Sequence, residues 1–492
     1  MAARSRMQYA WTNGHIPRNL DVISPAQSAP AAKLPVTIKP PVSLRPTPRL
    51  FLRILGAIYL IAFLSFGVQA MALIGSHGIL PAADFLRAVK AGAGSQAIYE
   101  LPTLLWLNSS DAAMTVLWIA GCLFALVAIA GFYQRLSLAV CLVLWLSCCA
   151  AGQDFYAFQW DYLLAEAGFL AIFADQSPVR VWLFRWLIFR LIFFSGVVKL
   201  ASGDPAWHNL TALQFHYETQ PLPTPLAWLM HQLPAGLQKA STAFTLFAEL
   251  AVPFTFFGPR RVRWAGAAIT VVLQLFILLT GNYTFFNWLT IALCLWLVIE
   301  PDRVTPRPLP HRAVSAALAG FIAMISALLF LELFNGQLPP GGGEILHAVA
   351  PLRLVNSYGL FAVMTTTRAE ILVEGSPDGE NWKGYEFPYK PGDPLRMPPM
   401  VAPYQPRLDW QMWFAALGTY QQNRWFVNFM IRLLQNDRTV LALLRYNPFP
   451  NAPPHYVRAR LFQYHFTRFG EKGWWRREER GMYFPPVSLK QP

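Results

Sequence analysis

The sequence predicts a membrane all-α bundle of about nine transmembrane helices, followed by a water-facing mixed, β-rich carboxy-terminal domain. Three observations predict it. Across 492 residues the chain is 55% hydrophobic and 14% aromatic but only 13% charged, about half the charge of an ordinary soluble domain. Its apolar residues gather into runs of bilayer length between residues 50 and 335. After Gly336 no such run returns, and charges, turn dipeptides and alternating patterns take over.

Residues 1–49 hold eight prolines and scattered Arg and Lys without apolar periodicity, the composition of a disordered basic tail. No cleavable signal peptide is expected, because the first apolar run is long enough to remain as an anchor. Spans are expected near 50–74, 111–132, 136–152, 160–174, 181–201, 240–258, 262–281, 284–300 and 313–334. The run at 160–174 is short. The run at 181–201 carries Arg185 and Arg190, which would also suit an interfacial helix whose cations snorkel to headgroups.

Basic residues fix an expected orientation. Arg45 and Arg49, Arg135, Arg180, Arg260, Arg261 and Arg263, and Arg303, Arg307 and Arg312 fall in alternate links. A nine-span chain with a cytoplasmic amino terminus puts every one of these links inside, and puts 202–239 and everything after 335 in the lumen or periplasm. This placement also accounts for the net charge of +14 without a nucleic-acid partner. All five cysteines lie inside apolar segments, where they read as small buried hydrophobes, and none has metal-ligand spacing.

The water-facing domain, 336–492, contains AEILVEG, SPDGENW and KGYEFPY, two strands around a Pro-Asp-Gly turn. Asp409 to Leu434 reads as helical with Trp410, Trp413 and Phe414 on an apolar face, and strands are expected near 456–466 and 473–484, around Gly470 and Gly473. Arg407 and Asp409 are placed to pair across the helix start, with Asp409 at its positive end. No nucleophile-base set, phosphate loop or nucleotide fingerprint occurs, so an interaction module is expected.

Chemistry is concentrated at 193–234, where polar residues break long apolar runs and cannot form a spanning helix. Lys199, five residues before Asp204, is either a desolvated base or a cation snorkelling to the interface. His208, His216 and Glu218 are ligand types for zinc or iron, but their spacing fits no metal motif, and a hydrogen-bonded structural network closing the lumenal end of the bundle is the better expectation. Asp204-Pro205 and Pro221 to Pro225 read as loop stiffeners, with Trp207 and Trp228 as interfacial anchors. In the preceding spans Asp154 and Asp161 read as wet groups at a turn, whereas Glu166 lies deeper and needs a partner, for which Arg190 is the candidate. Glu249-Leu-Ala-Val-Pro253 marks a kinked helix beside the polar stretch.

The stretches DPAWHNLTALQFHYETQPLPTPLAWLMHQLP at 204–234, ELAVPF at 249–254, GNYTFFNWLT at 281–290, VNSYGLFAVMTTTRAEILVEG at 355–375, KPGDPLRMPPMVAPYQPRLDWQMWFAA at 390–416 and NPFPNAPPHYVRARLFQYHF at 447–466, with GWWRRE and YFPPVSL near the end, resemble the lipase maturation factor family. The likeness covers about 200 to 490, and the earlier spans fit in character. It implies a multi-pass protein of the endoplasmic reticulum membrane that helps secreted client proteins such as lipases fold and assemble; a chaperone-like role is favoured over an enzymatic one, no cofactor is expected, and the partners are clients and membrane lipids with no nucleic acid. Under it, 340–492 would contact the client and 204–234 would belong to the core, so Asp204, Trp207, His208, His216, Tyr217, Glu218, Arg407, Asp409, Trp410 and Trp413 are client-binding or core residues. The absence of cysteine from the carboxy-terminal domain puts a redox role in doubt, and the basic tail would equally suit a bacterial inner membrane. A shorter likeness, Gly196-Val-Val-Lys199-Leu through Trp207, is to vitamin K-dependent carboxylase-type membrane proteins. It implies an alternative in which Lys199 is a catalytic base acting on a quinone-like lipid.

Overall fold

The computed structural model describes residues 46–489. All but the last residues of the tail expected over 1–49 lie outside them. In chain order the bundle runs α1 (Pro46–Ile74), α2 (Asp111–Ala130), α3 (Gln134–Ala151), α4 (Gln159–Ile172), α5 (Pro178–Ala201), α6 (Ala212–Thr219), α7 (Ala235–Leu250), α8 (Arg260–Thr280), α9 (Phe286–Val298) and α10 (Leu309–Asn335). Among the described residues seven helices are long and apolar enough to cross a membrane, α7 reaching that length with the 3-10 turn that carries it to Phe257. The chain is a multi-pass membrane protein.

Nine full-length spans are not what the chain forms. The segment expected at 160–174 is α4, 14 residues long, which rises only about 21 Å against a hydrocarbon core of about 30 Å. The segment expected at 284–300 is the similarly short α9. Both are buried on nearly all sides, with Trp160, Leu163 and Leu164 of α4 and Leu289, Leu293 and Trp296 of α9 inside the main core. Central helices end against protein and not against headgroups, so bilayer thickness does not set their length.

Small residues let α1 and α2 approach closely. The Trp118 ring of α2 lies over Gly67 of α1, and the Phe63 ring of α1 lies over Gly121 of α2; a Cβ at either glycine would stand 2.6 Å from the ring. Such positions let backbones approach where no hydrophobic effect drives helices together in lipid. In α5 the arginines do not snorkel. Arg185 donates to the carbonyls of Trp296 (3.1 Å) and Ile299 (2.7 Å), and Arg190 turns inward to Glu166. The helix is therefore long and apolar enough to cross a membrane and carries an inward polar stripe, unlike a helix whose arginines snorkel at an interface.

The links expected to share one side meet at one end of the bundle. Arg53 reaches Ala130 O at the end of α2, Arg135 reaches Ala174 O, and Arg180 pairs with Asp175 and touches Ser315 of α10. Asp302 N bonds Gln176 O, and Arg263 pairs with Glu300. The segment 202–234 lies at the opposite end, against the carboxy-terminal module.

That module contains β1 (Arg368–Ser376), β2 (Lys383–Gly384), α11 (Arg407–Ala416), α12 (Arg424–Leu434), β3 (Tyr456–Phe466) and β4 (Trp475–Val487). The strands form one antiparallel sheet in the order β2-β1-β3-β4, with Arg368 opposite Tyr464 and Ser376 opposite Tyr456. The β3–β4 turn uses Gly470 and Gly473 at φ 86° and 83°, which side chains disfavour. The single helix expected from Asp409 to Leu434 is two, because Gly418 and the Thr419–Gln422 capping box break it. The second piece, α12, buries Trp425, Phe426, Phe429, Met430, Leu433 and Leu434 along one face. Contacts join bundle and module into one compact unit.

Candidate functional site

The last turn of α5 faces the broken end of α7, and there Lys199 meets Glu249. The Lys199 ammonium lies 3.0 Å and 2.9 Å from the two carboxylate oxygens, donates to Ser195 O at 2.9 Å, and stands 5.2 Å from the Trp207 ring centroid. Both residues are buried. Lys199 is therefore neither snorkelling nor an unpaired base. A wet interfacial position was the simpler expectation, but α7 stops at Leu250 and brings Glu249 within reach before Pro253.

A cavity of about 590 Å³ adjoins this pair. Lys199, His216, Glu249, Gln274 and Tyr283 are among its polar groups, the hydroxyls of Ser195, Ser241, Thr245, Thr280 and Thr290 add others, and the remaining wall is aliphatic and aromatic. His216 Nε2 lies 3.2 Å from the Tyr283 hydroxyl, which donates to Gln220 Oε1 at 2.9 Å. Burial, and secondarily the nearby Lys199 charge, pushes the His216 imidazole down to about 3.

His208, His216 and Glu218 do not come together. His208 is exposed, with Nε2 3.2 Å from Leu200 O. Glu218 points away from the cavity, accepting from Phe466 N at 2.7 Å and contacting His465 Nδ1 at 3.1 Å and His231 Nε2 at 3.7 Å. Tyr217 packs with Phe462, Phe466 and Trp475. Among the described residues no group of three or more His, Cys, Asp or Glu side chains is arranged to hold a metal ion.

The sequence of this assembly matches two family models, the lipase maturation factor transmembrane domain over residues 47–304 and the lipase maturation factor C-terminal domain over 354–485. The chain belongs to the lipase maturation factor family. It is 37% identical to lipase maturation factor 2 of Gallus gallus over 90% of this chain and 81% of that protein. It is 36% identical to lipase maturation factor 2 of Homo sapiens, covering 90% and 83%, and 34% identical to lipase maturation factor 1 of Bos taurus, covering 89% and 88%. No solved structure matches it significantly. The family likeness read from motifs after residue 200 thus extends back through α1.

In this lipase maturation factor family chain most of the remaining predicted residues form the joint between bundle and module. Arg407 does not pair with Asp409. Its guanidinium donates twice to Asp161, at 2.8 Å each, and once to Phe155 O, and it lies 3.5 Å over the Tyr156 ring. Asp161 is therefore buried and not a wet turn residue, while Asp154 stays exposed. Asp409 instead accepts the backbone N–H groups of Tyr389 (2.9 Å) and Lys390 (2.8 Å); burial, opposed by those bonds, still pushes its carboxyl up to about 6. Trp410 packs on Trp160, and Trp413 donates to Thr219 O at 2.8 Å. Trp207 is seated in the joint, donating to Phe361 O, and Trp228 donates to Thr467 O, so neither is a headgroup anchor. Asp204 caps the following turn through Ala206 N and accepts from Met364 N.

Glu166 has the predicted Arg190 as its partner and also accepts from Asn356 N, Asn356 Nδ2 and the Tyr358 hydroxyl. Several joint residues were not anticipated. Arg368 donates to the carbonyls of Glu218, Gln220 and Pro221 and pairs with Glu370, which Lys390 also reaches. Asn282 Oδ1 accepts from Val401 and Ala402. Buried arginines clustered at 368 and 407 in a water-facing segment are the signal that could have marked such a seam, since buried charge requires a partner.

Proposed function

We propose that this protein assists the folding, assembly and maturation of secreted proteins, lipases among them, with the bundle holding the carboxy-terminal module against an unfolded client. The observation that carries this reading is a set of exposed apolar side chains on one segment of the module. Leu395, Met397 and Met400 stand on the segment 390–401 with more than half of their surface exposed, beside the β3–β4 turn through Pro394 O and the Trp474 and Trp475 amides. Unbranched, polarisable methionines adapt to clients of varied shape. Of the residues open to a client-binding role, Arg407, Trp410 and Trp413 are occupied by the joint and Asp409 by bonds inside the module, so all four act as core.

The chain crosses the membrane nine times on this reading, with short, buried α4 and α9 completing the passages between full-length spans. The meeting of all the basic links at one end supports it, and positive-inside bias then makes that end cytoplasmic and the module lumenal or periplasmic. The membrane is that of the endoplasmic reticulum, or the inner membrane in a bacterium. The Lys199–Glu249 pair favours a structural lysine over the carboxylase-type base. Co-expression with a secreted lipase tests the function: active secreted enzyme should rise with the chain present, and unchanged activity at equal lipase synthesis would contradict it.

A further inference from the structure

The cavity beside Lys199 opens sideways. Of its lining residues, Leu237, Val272 and Phe276 are large, apolar and exposed, and they stand on α7 and α8, both parts of spanning segments. A mouth rimmed this way faces hydrocarbon, so its occupant arrives from the bilayer. The inner end is polar but carries no net charge: Lys199 and Glu249 neutralise each other, His216 is held neutral, and Tyr283 and Gln274 add uncharged groups. An anionic head would have to displace Glu249 from Lys199, leaving a buried carboxylate unpaired. A hydroxyl or ester oxygen faces no such penalty. The volume, about 590 Å³, falls within the ~300–1,000 Å³ of small-molecule sites.

We propose that this cavity binds the acyl chain of an uncharged, oxygen-bearing lipid, a monoacylglycerol being the simplest, with its tail between α7 and α8 and its head toward His216 and Tyr283. The reading stands independently of client maturation. The test uses the full chain in phosphatidylcholine nanodiscs, a monoacylglycerol carrying a diazirine on its tail, photolysis and peptide mapping. Adducts should concentrate on cavity-lining positions such as Phe244 and Ile277, and excess monooleoylglycerol should compete where the same excess of oleate at neutral pH does not. Ala240→Trp, at an exposed lining position, should plug the mouth and cut labelling roughly tenfold, equivalent to about 1.4 kcal/mol, with the thermal unfolding midpoint unchanged. Ser241→Leu is the milder second variant, expected to act in the same direction. Adducts spread evenly over the lipid-facing helices, labelling indifferent to both variants, or equal competition by oleate would overturn the proposal.

Discussion

Arg407 and Asp161 form a bidentate ion pair, both bonds 2.8 Å long, across the seam between the carboxy-terminal module and the bundle. The two residues are almost wholly buried. Removing one partner strands the other charge away from water, which typically costs about 3–5 kcal/mol, whereas replacing both by apolar residues of similar size is often neutral. Asp161→Asn and Arg407→Met should therefore each lower the thermal unfolding midpoint sharply, and the Asp161→Leu, Arg407→Met double variant should recover most of the loss. Additive losses in the double variant would show that the pair is not a coupled unit.

The Lys199–Glu249 pair predicts a different pattern for function. Lys199→Arg keeps the charge but removes a titratable base, so client maturation should persist; its loss, in a variant with normal folded yield, would favour the enzymatic alternative. Lys199→Met should destabilise by about 3–5 kcal/mol by stranding Glu249, and Glu249→Leu in the same chain should restore folded yield.

His216 and Asp409 predict opposing pH effects. His216 has a folded value of about 3 against an ordinary value of about 6.5, so the unfolded chain takes up a proton that the folded one refuses. Its stabilising contribution is complete above about pH 6.5 and is lost as pH falls toward 3. Asp409 has a folded value of about 6 against about 3.9. Its contribution is complete below about pH 4 and is lost as pH rises through 6. Between about pH 4 and 6 the slopes cancel, each being at most about 1.4 kcal/mol per pH unit. His216→Gln should expose a stability that falls as pH rises over that window, and Asp409→Asn one that rises. Chemical denaturation at several pH values reads both slopes, and parallel profiles for the two variants would contradict the assignment.

Membrane topology predicts opposite accessibility for Thr305, beside the basic links, and Asn209, beside the module; both are exposed. Cysteines placed there should react with an impermeant maleimide from opposite sides of sealed vesicles. Labelling from the same side would rule out the nine-passage path.

The order of apolar runs and the alternation of basic links made most of the bundle legible in the sequence, because hydrocarbon thickness and charge bias act on local composition. The depth of α4 and α9 was not, since hydropathy measures apolarity and not whether lipid or protein lies alongside. Glu166 and Arg190 could be matched from the sequence, both interrupting neighbouring apolar runs. Asp161 and Arg407 are 246 residues apart, and only the fold brings them together. The same holds for Glu218 and His465, 247 residues apart, so sequence spacing alone groups the histidines of one loop with each other and not with β3.

In the proposed function the module presents Leu395, Met397 and Met400 to clients while the joint holds it on the bundle. Deleting residues 340–492 would strand Asp161 inside the bundle, strip Glu166 of its Asn356 and Tyr358 donors, and confuse misfolding with lost recognition. The most direct measurement is co-purification of a co-expressed secreted lipase with the full chain and with its Leu395→Ser, Met397→Ser, Met400→Ser variant, at matched thermal stability. The variant should fold normally and capture roughly tenfold less client, about 1.4 kcal/mol; undiminished capture would overturn the assignment of these residues to client recognition.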